Sequence, residues 1–197
     1  MTVVIIKYNA GNTRSVQFAL ERLGINPIIT DDAEIIRNAD RVIFPGVGEA
    51  SSAMKYLREK GLDKLIVSLK QPVLGICLGM QLMCTHSEEG DTTCLGIFDG
   101  KVKRFEQTEG FKIPQMGWNN IYDLKTKVFD KISDDSHVYF VHGYYAELSR
   151  NTIATTNYIR PYSSALQKNN FYGMQFHPEK SGEAGEKILH NFLFSEY

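Results

Sequence analysis

Short apolar runs alternate, through the first half of the chain, with stretches whose apolar residues recur every three or four positions. Val3 to Tyr8, Pro27 to Thr30, Arg41 to Phe44 and Val73 to Ile76 have the length and β-branched content of buried strands. Between them, Val16, Ala19, Leu20 and Leu23 predict a helix over 15–23, closed by Gly24. A turn over Asn9-Ala10-Gly11-Asn12 leads into it. Ala33 to Arg37 carries a weaker helical spacing. Ala53, Met54 and Leu57 predict a helix capped by Ser51 or Ser52 and ending at Gly61. Leu62 to Leu69 and Gly79 to Thr85 complete the helical set. Alternation of this kind predicts an α/β domain with a parallel sheet and right-handed crossovers.

The second half changes character. Gly96 to Val102 sets turn glycines between β-formers, and Gln115 to Tyr122, His137 to Leu148, Thr152 to Thr156, Ala165 to Gln167 and Phe171 to Phe176 read as strands. A closing helix spans Glu183 to Phe194, with Ile188, Leu189, Phe192 and Leu193 on one side. No repeat, low-complexity segment or linker divides the chain, so residues 1–197 are expected to form one domain.

Composition narrows the function. A hydrophobic share of 43% supports a large core, and 22 Lys plus Arg against 23 Asp plus Glu gives no support to a nucleic-acid partner. Met1 to Lys7 lacks the pattern of a signal peptide, and no apolar run reaches the ~18 residues of a membrane span. The three cysteines, Cys77, Cys84 and Cys94, lack C-x-x-C spacing, which argues against a disulfide framework or zinc site and for a reducing cytoplasm. Neither a metal nor a cofactor is called for.

Two short segments carry candidate chemistry. Gly75-Ile76-Cys77-Leu78-Gly79 follows a strand and precedes a helix, the pattern of a nucleophile elbow. A helix N-terminus and a nearby histidine both favour the reactive thiolate. Gly75 and Gly79 suit an elbow, where a Cβ would crowd neighbouring backbone, and the Leu78 N–H is placed to donate to an oxyanion. Cys84 and Cys94 have no such context and read as core cysteines. In Phe176-His177-Pro178-Glu179, an extended segment would point residues two apart the same way, so Glu179 can hold one imidazole nitrogen while the other faces Cys77. Cys77, His177 and Glu179 are thus a candidate triad.

Other motifs are weaker. Pro45-Gly46-Val47-Gly48 lies between a strand and a helix; it reads as a second source of oxyanion donors or as a plain turn. Gln81 lies one helical turn after Cys77 and reads equally as a substrate contact or a solvated residue. His142, at a strand end, reads as a supporting residue and not a base.

These three motifs, with Pro114-Gln115-Met116-Gly117-Trp118-Asn119, Tyr139-Phe140-Val141-His142 and Gly173 to Ser181, resemble the class I glutamine amidotransferases, and within them the glutaminase subunits of imidazole glycerol phosphate synthase. The likeness runs from the first strand, with Gly11-Asn12, to the last helix. It implies a three-layer, flavodoxin-like α/β fold with a central mixed, mainly parallel sheet. It also implies that Cys77 attacks the side-chain amide of glutamine, that His177 shuttles the proton, and that Glu179 holds His177. An oxyanion hole would come from Leu78 and the loop of Gly46, Val47 and Gly48, completed by a peptide flip. Gln81, Gly143 and Tyr144 would bind glutamine. Ammonia would pass to a cyclase (β/α)8-barrel subunit in a heterodimer, and Asn12, Trp118, Asn119, Tyr139 and Lys180 match positions at or near that interface. A lone tryptophan beside a lysine would suit a cation–π contact there; without the resemblance, a core tryptophan is an equal reading.

Two departures stand out. Gly143 replaces a frequent Ser or Thr, which puts a side-chain contact to glutamine in doubt, and Glu49 replaces a frequent small residue beside the loop. Two alternatives remain at this point: a glutaminase serving another synthase, such as pyridoxal phosphate synthase or a sugar-modifying enzyme, and a non-catalytic binding module on the same fold.

Overall fold

The computed structural model describes residues 1–9 and 12–195, so Ala10 and Gly11 of the expected turn lie outside the described residues. Five strands form a parallel half-sheet in the order β2 (Ile28–Thr30), β1 (Val3–Ile6), β3 (Arg41–Phe44), β4 (Val73–Ile76) and β13 (Phe171–Met174). The sheet continues antiparallel through β12 (Arg160–Lys168), β10 (Tyr144–Ala146) and β7 (Lys101–Arg104), then ends in a small hairpin of β5 (His86–Ser87) and β6 (Thr92–Thr93). Strand β11 (Thr152–Tyr158) pairs with β12, and β8 (Gln115–Ile121) with β9 (Ser136–His142) makes a separate antiparallel pair.

Alternation along the parallel strands builds three layers. Val4, Ile6, Val42, Phe44 and Val73 face one side, where they pack with α3 (Ala50–Glu59), α4 (Leu62–Ser68) and α5 (Leu78–Leu82). Val3, Ile5, Ile43, Leu74 and Ile76 face the other, against α1 (Thr13–Arg22) and α6 (Gly182–Phe194). The short α2 (Ala33–Arg37) is capped by Asp32, whose side chain accepts from the N–H groups of Glu34 and Ile35. No helix among the described residues is long and apolar enough to cross a membrane.

Several expectations need correction. The cap of α3 is Glu49, which accepts from the N–H groups of Ser51 and Ser52, and not Ser51 or Ser52 itself. The continuous strand expected over His137 to Leu148 breaks at Gly143, because β9 pairs with β8 while β10 turns into the main sheet against β7 and β12. The helix behind Cys77 ends at Leu82, earlier than Thr85. The β5–β6 hairpin was not expected at all.

Candidate active site

Cys77 closes β4 with φ +52 and ψ −108, a conformation that side chains rarely adopt. Its N–H donates to the Met174 carbonyl at 2.7 Å, and the Gln81 N–H reaches back to its own carbonyl at 3.1 Å, opening α5. The flanking glycines are sterically required. A Cβ on Gly79 would run into the Phe44 carbonyl oxygen, and one on Gly75 would meet the Met80 nitrogen at 2.8 Å. The elbow thus holds the sulfur at the carboxyl edge of the parallel strands, one β-strand away from the segment that follows β13.

That segment carries the base. The Nδ1 of His177 lies 2.8 Å from Glu179 Oε1, with both side chains almost wholly buried at 4% and 1% exposure. The backbone is not the extended segment expected. Pro178–Lys180 is a turn of 3₁₀ helix, with proline fixing its first position, and this turn brings the carboxylate under the ring. The His177 N–H donates to the Tyr139 carbonyl at 2.9 Å. Ser181 Oγ donates to the His177 carbonyl at 2.6 Å and accepts from the Tyr139 N–H at 2.9 Å, so β9 clamps the histidine from both sides. Burial works against a charged ring, but hydrogen bonds to Cys77 and Glu179 outweigh it and push His177 up to about 10.

A cavity of about 230 Å³ opens over these groups, lined by Val47, Gly48, Cys77, Leu78, Gln81, Glu89, Val141, His142, Gly143, Tyr144, His177 and Lys180. Its volume lies below the ~300–1,000 Å³ of drug-sized sites, which suits a small metabolite. Cys77 and His177 of the candidate triad, Val47 and Gly48 of the loop, and Gln81, Gly143 and Tyr144 therefore share one space, with Glu179 buried behind the histidine. Gln81 is buried, not solvated: its amide nitrogen donates to the Tyr144 carbonyl at 2.9 Å and to Gln175 Oε1 at 2.8 Å. The Leu78 N–H, read from sequence as a free oxyanion donor, is taken by the Gly46 carbonyl at 3.2 Å.

Sequence reasoning missed Glu89. It sits in the β5–β6 turn, accepts from the Ala50 N–H at 2.9 Å and reaches the cavity, and burial raises its pKa above the ordinary carboxylate range. Within Glu88-Glu89-Gly90-Asp91 it carries no periodicity and looks like any solvated turn residue. His142 supports the site: its Nδ1 bonds the Tyr144 carbonyl at 2.7 Å, and burial holds it down to about 4, hence neutral. Cys84 and Cys94 are core thiols pushed upward by burial, Cys94 to about 11.

The residues expected at an interface divide. Trp118 is 57% exposed, not a core residue, and its ring stands edge-on to Tyr139 at 6.0 Å. Lys180 is exposed at the cavity rim. Asn119 donates to the Asn157 carbonyl at 3.2 Å, while Asn12 leads into α1, which packs on the 178–180 turn.

Residues 4–195 match the family model of class I glutamine amidotransferases. The chain is 60% identical over 194 residues to imidazole glycerol phosphate synthase subunit HisH of Bacteroides fragilis strain YCH46, covering 98% of this chain and 99% of the relative. It is 48% identical to the same-named subunit of Idiomarina loihiensis, over 98% of this chain and 97% of that one. PurLQS from Thermotoga maritima superposes with a TM-score of 0.72 at 17% identity, over 98% of this chain and 97% of that one, a likeness of fold. A glutamine amidotransferase from the same organism gives 0.64 at 18% identity, over 98% of this chain and 82% of its own. On the elbow, the buried histidine–carboxylate pair and these near full-length matches, the chain belongs to the class I glutamine amidotransferases, in the family of imidazole glycerol phosphate synthase HisH subunits.

Proposed function

We propose that this chain is a cytoplasmic single-domain glutaminase subunit of imidazole glycerol phosphate synthase, hydrolysing L-glutamine to L-glutamate and ammonia. The observation that carries the chemistry is the elbow cysteine facing a buried His177–Glu179 pair across one small cavity. The Cys77 thiolate attacks the side-chain amide carbon of glutamine. His177, held protonated by its neighbours, gives its proton to the departing nitrogen, and ammonia leaves. Water then attacks the glutamyl thioester while His177 takes its proton, and glutamate departs as the thiolate re-forms. Glu179 keeps the ring oriented through Nδ1, leaving Nε2 for the sulfur and the leaving group.

Substrate recognition follows from the lining. Both Gln81 N–H bonds are spent inside the protein, so its carbonyl oxygen is the group left for a ligand, and it suits the α-ammonium of glutamine. The Glu89 carboxylate suits the same ammonium. Gly143 has no side chain to offer and the Tyr144 carbonyl already accepts from Gln81 and His142, so the backbone N–H groups of Gly143 and Tyr144 are assigned to the substrate. Oxyanion stabilisation is assigned to the Leu78 N–H and a backbone N–H of the Gly46–Gly48 loop, once the loop turns over.

Ammonia in neutral water is mostly ammonium and not nucleophilic, so enclosed transfer to a partner is required. We assign that partner as a cyclase (β/α)8-barrel subunit, docking around Trp118, Asn119, Tyr139, Lys180 and Asn12, which uses the ammonia to make imidazole glycerol phosphate and aminoimidazole carboxamide ribotide in histidine biosynthesis. Trp118, exposed and edge-on to the half-buried Tyr139, supports this face. The test is co-purification followed by a glutamate assay. The reading expects the cyclase to be recovered and glutamate to form in its presence, with none from Cys77→Ala. Recovery of a vitamin B6 synthase barrel instead, or equal glutamate from Cys77→Ala, would overturn it.

A further inference from the structure

We propose that Gln175 is a positioning residue for glutamine hydrolysis: its side-chain amide fixes the Cys77 sulfur and locks the orientation of Gln81. This rests on the glutaminase reading and adds a residue to it. Gln175 is fully buried between β13 and His177, and its N–H is tied to the Ser164 carbonyl at 2.9 Å. Its Nε2 donates to Cys77 Sγ at 3.7 Å, and its Oε1 accepts from Gln81 Nε2 at 2.8 Å.

The direction of both bonds is forced. Gln81 Nε2 faces two oxygens, Gln175 Oε1 and the Tyr144 carbonyl, the latter also accepting from His142 Nδ1. Turning the Gln81 amide over would set oxygen against oxygen at both contacts. Gln175 must therefore show its oxygen to Gln81 and its NH₂ to the sulfur. Cys77 Sγ has a second polar neighbour, the Val141 carbonyl at 3.7 Å. A thiol can donate to that carbonyl, but a thiolate has nothing to donate and gains only from an N–H. Gln175 is thus matched to the ionised, nucleophilic sulfur. The same amide couples the place of attack to the side chain that lines the substrate cavity.

Gln175→Met keeps length and removes both polar contacts. Two measurements follow on the purified full chain: alkylation of Cys77 by iodoacetamide across roughly pH 5 to 10, read by mass spectrometry, and kcat and KM for glutamine with the cyclase partner present. The alkylation profile should move to higher pH, kcat should fall about 10- to 100-fold, the scale of a hydrogen bond to a charged group, and KM should rise as Gln81 loosens. An unchanged profile with unchanged kcat overturns the proposal. Absence of Cys77-dependent hydrolysis by the wild type would sink the glutaminase reading instead, while the alkylation arm still decides Gln175. If Gln175→Met does not fold, the wild-type side-chain amide decides by NMR. Its proton resonances should follow a pH titration in the wild type and not in Cys77→Ala; the same response in both, or none in either, overturns the proposal.

Discussion

The Leu78 N–H donates to the Gly46 carbonyl oxygen at 3.2 Å, so the donor beside the Cys77 sulfur is already occupied. A single event would reverse this. Rotating the Gly46–Val47 peptide withdraws the carbonyl from Leu78 and turns the Val47 N–H inward, supplying two oxyanion donors together. A Cβ on Gly46 would meet Leu78 Cβ at 2.8 Å, so the loop must carry glycine to lie this close. Pro45, just before it, is pinned by the Tyr8 hydroxyl, which donates to its carbonyl at 2.6 Å.

The first prediction follows from that arrangement. The isolated chain should hydrolyse glutamine slowly, and the partner with its nucleotide ligand should raise the rate by the order of 10²–10³ for each donor gained. Val47→Pro removes the incoming N–H at an exposed position. It should bind the partner normally yet keep only the slow rate in a coupled glutamate assay. Full wild-type stimulation in Val47→Pro would show that this N–H is not used.

The second concerns Glu179. Glu179→Gln preserves shape but removes the charge that helps hold His177 at about 10. kcat should fall on the order of 10². The sign for stability is set by the raised value. A histidine lifted above its unfolded pKa of 6.5 adds stability that is fully present below that pH and is lost as pH rises through about 10. The variant should lose its His177 proton at lower pH, followed by imidazole NMR, and its stability should decline less between those limits. An unmoved His177 titration would disprove the charge coupling.

The third concerns the ammonium of the substrate. Glu89→Gln should raise KM about 10- to 100-fold, the scale of one charge-assisted hydrogen bond, with a smaller effect on kcat. A glutamine analogue lacking the α-amino group should not distinguish variant from wild type. Since Glu89 also accepts from the Ala50 N–H, the Tm of the variant separates binding from loss of a helix cap. Equal discrimination against the analogue by both proteins would remove Glu89 from recognition.

Much of this was legible because it rests on local rules. Strands β3 and β4 and helix α2 have the expected boundaries, since each is a short apolar or periodic run between turn residues. The elbow was legible for a steric reason, as no side chain fits at Gly75 or Gly79. What sequence hid depends on partners far along the chain. His137 to Leu148 is uniformly strand-forming, and only its two different neighbours, β8 and β7, break it at Gly143. Two-residue strands such as His86–Ser87 show no period, so the hairpin that delivers Glu89 was invisible. The occupied Leu78 N–H is a matter of one peptide's orientation, which residue types do not encode.

Glu49 gives a fourth prediction and explains one departure from the family pattern. Its carboxylate accepts from the N–H groups of Ser51 and Ser52 and from Ser51 Oγ at 2.8 Å, and these bonds hold its pKa below the usual carboxylate value. Glu49→Ala should cost about 1 kcal/mol of stability, the worth of an N-cap, without changing kcat. The lowered pKa means that the cap is present above the ordinary carboxylate range and is lost as pH falls below it. A urea titration of the variant matching wild type at neutral pH would show that Glu49 is not the effective cap.

The last prediction concerns acid. His142 is enclosed by Phe105, Phe140 and Tyr162, its Nε2 lies 3.2 Å from the Tyr162 hydroxyl, and burial is the main cause of its fall to about 4. The nearby His177, itself charged, lowers it further. A histidine kept neutral below its unfolded pKa of 6.5 favours the folded state above that pH, and this contribution drains away as pH falls toward 4. The window of about 2.5 pH units corresponds to roughly 3 kcal/mol. His142→Gln has no proton to gain, so its stability should fall less than wild type over that interval even where its neutral-pH stability is lower. Urea denaturation at a series of pH values gives the difference directly, with the other titrating groups common to both proteins. Parallel curves would mean that His142 is protonated as readily in the folded protein as in the unfolded chain, against the burial that surrounds it.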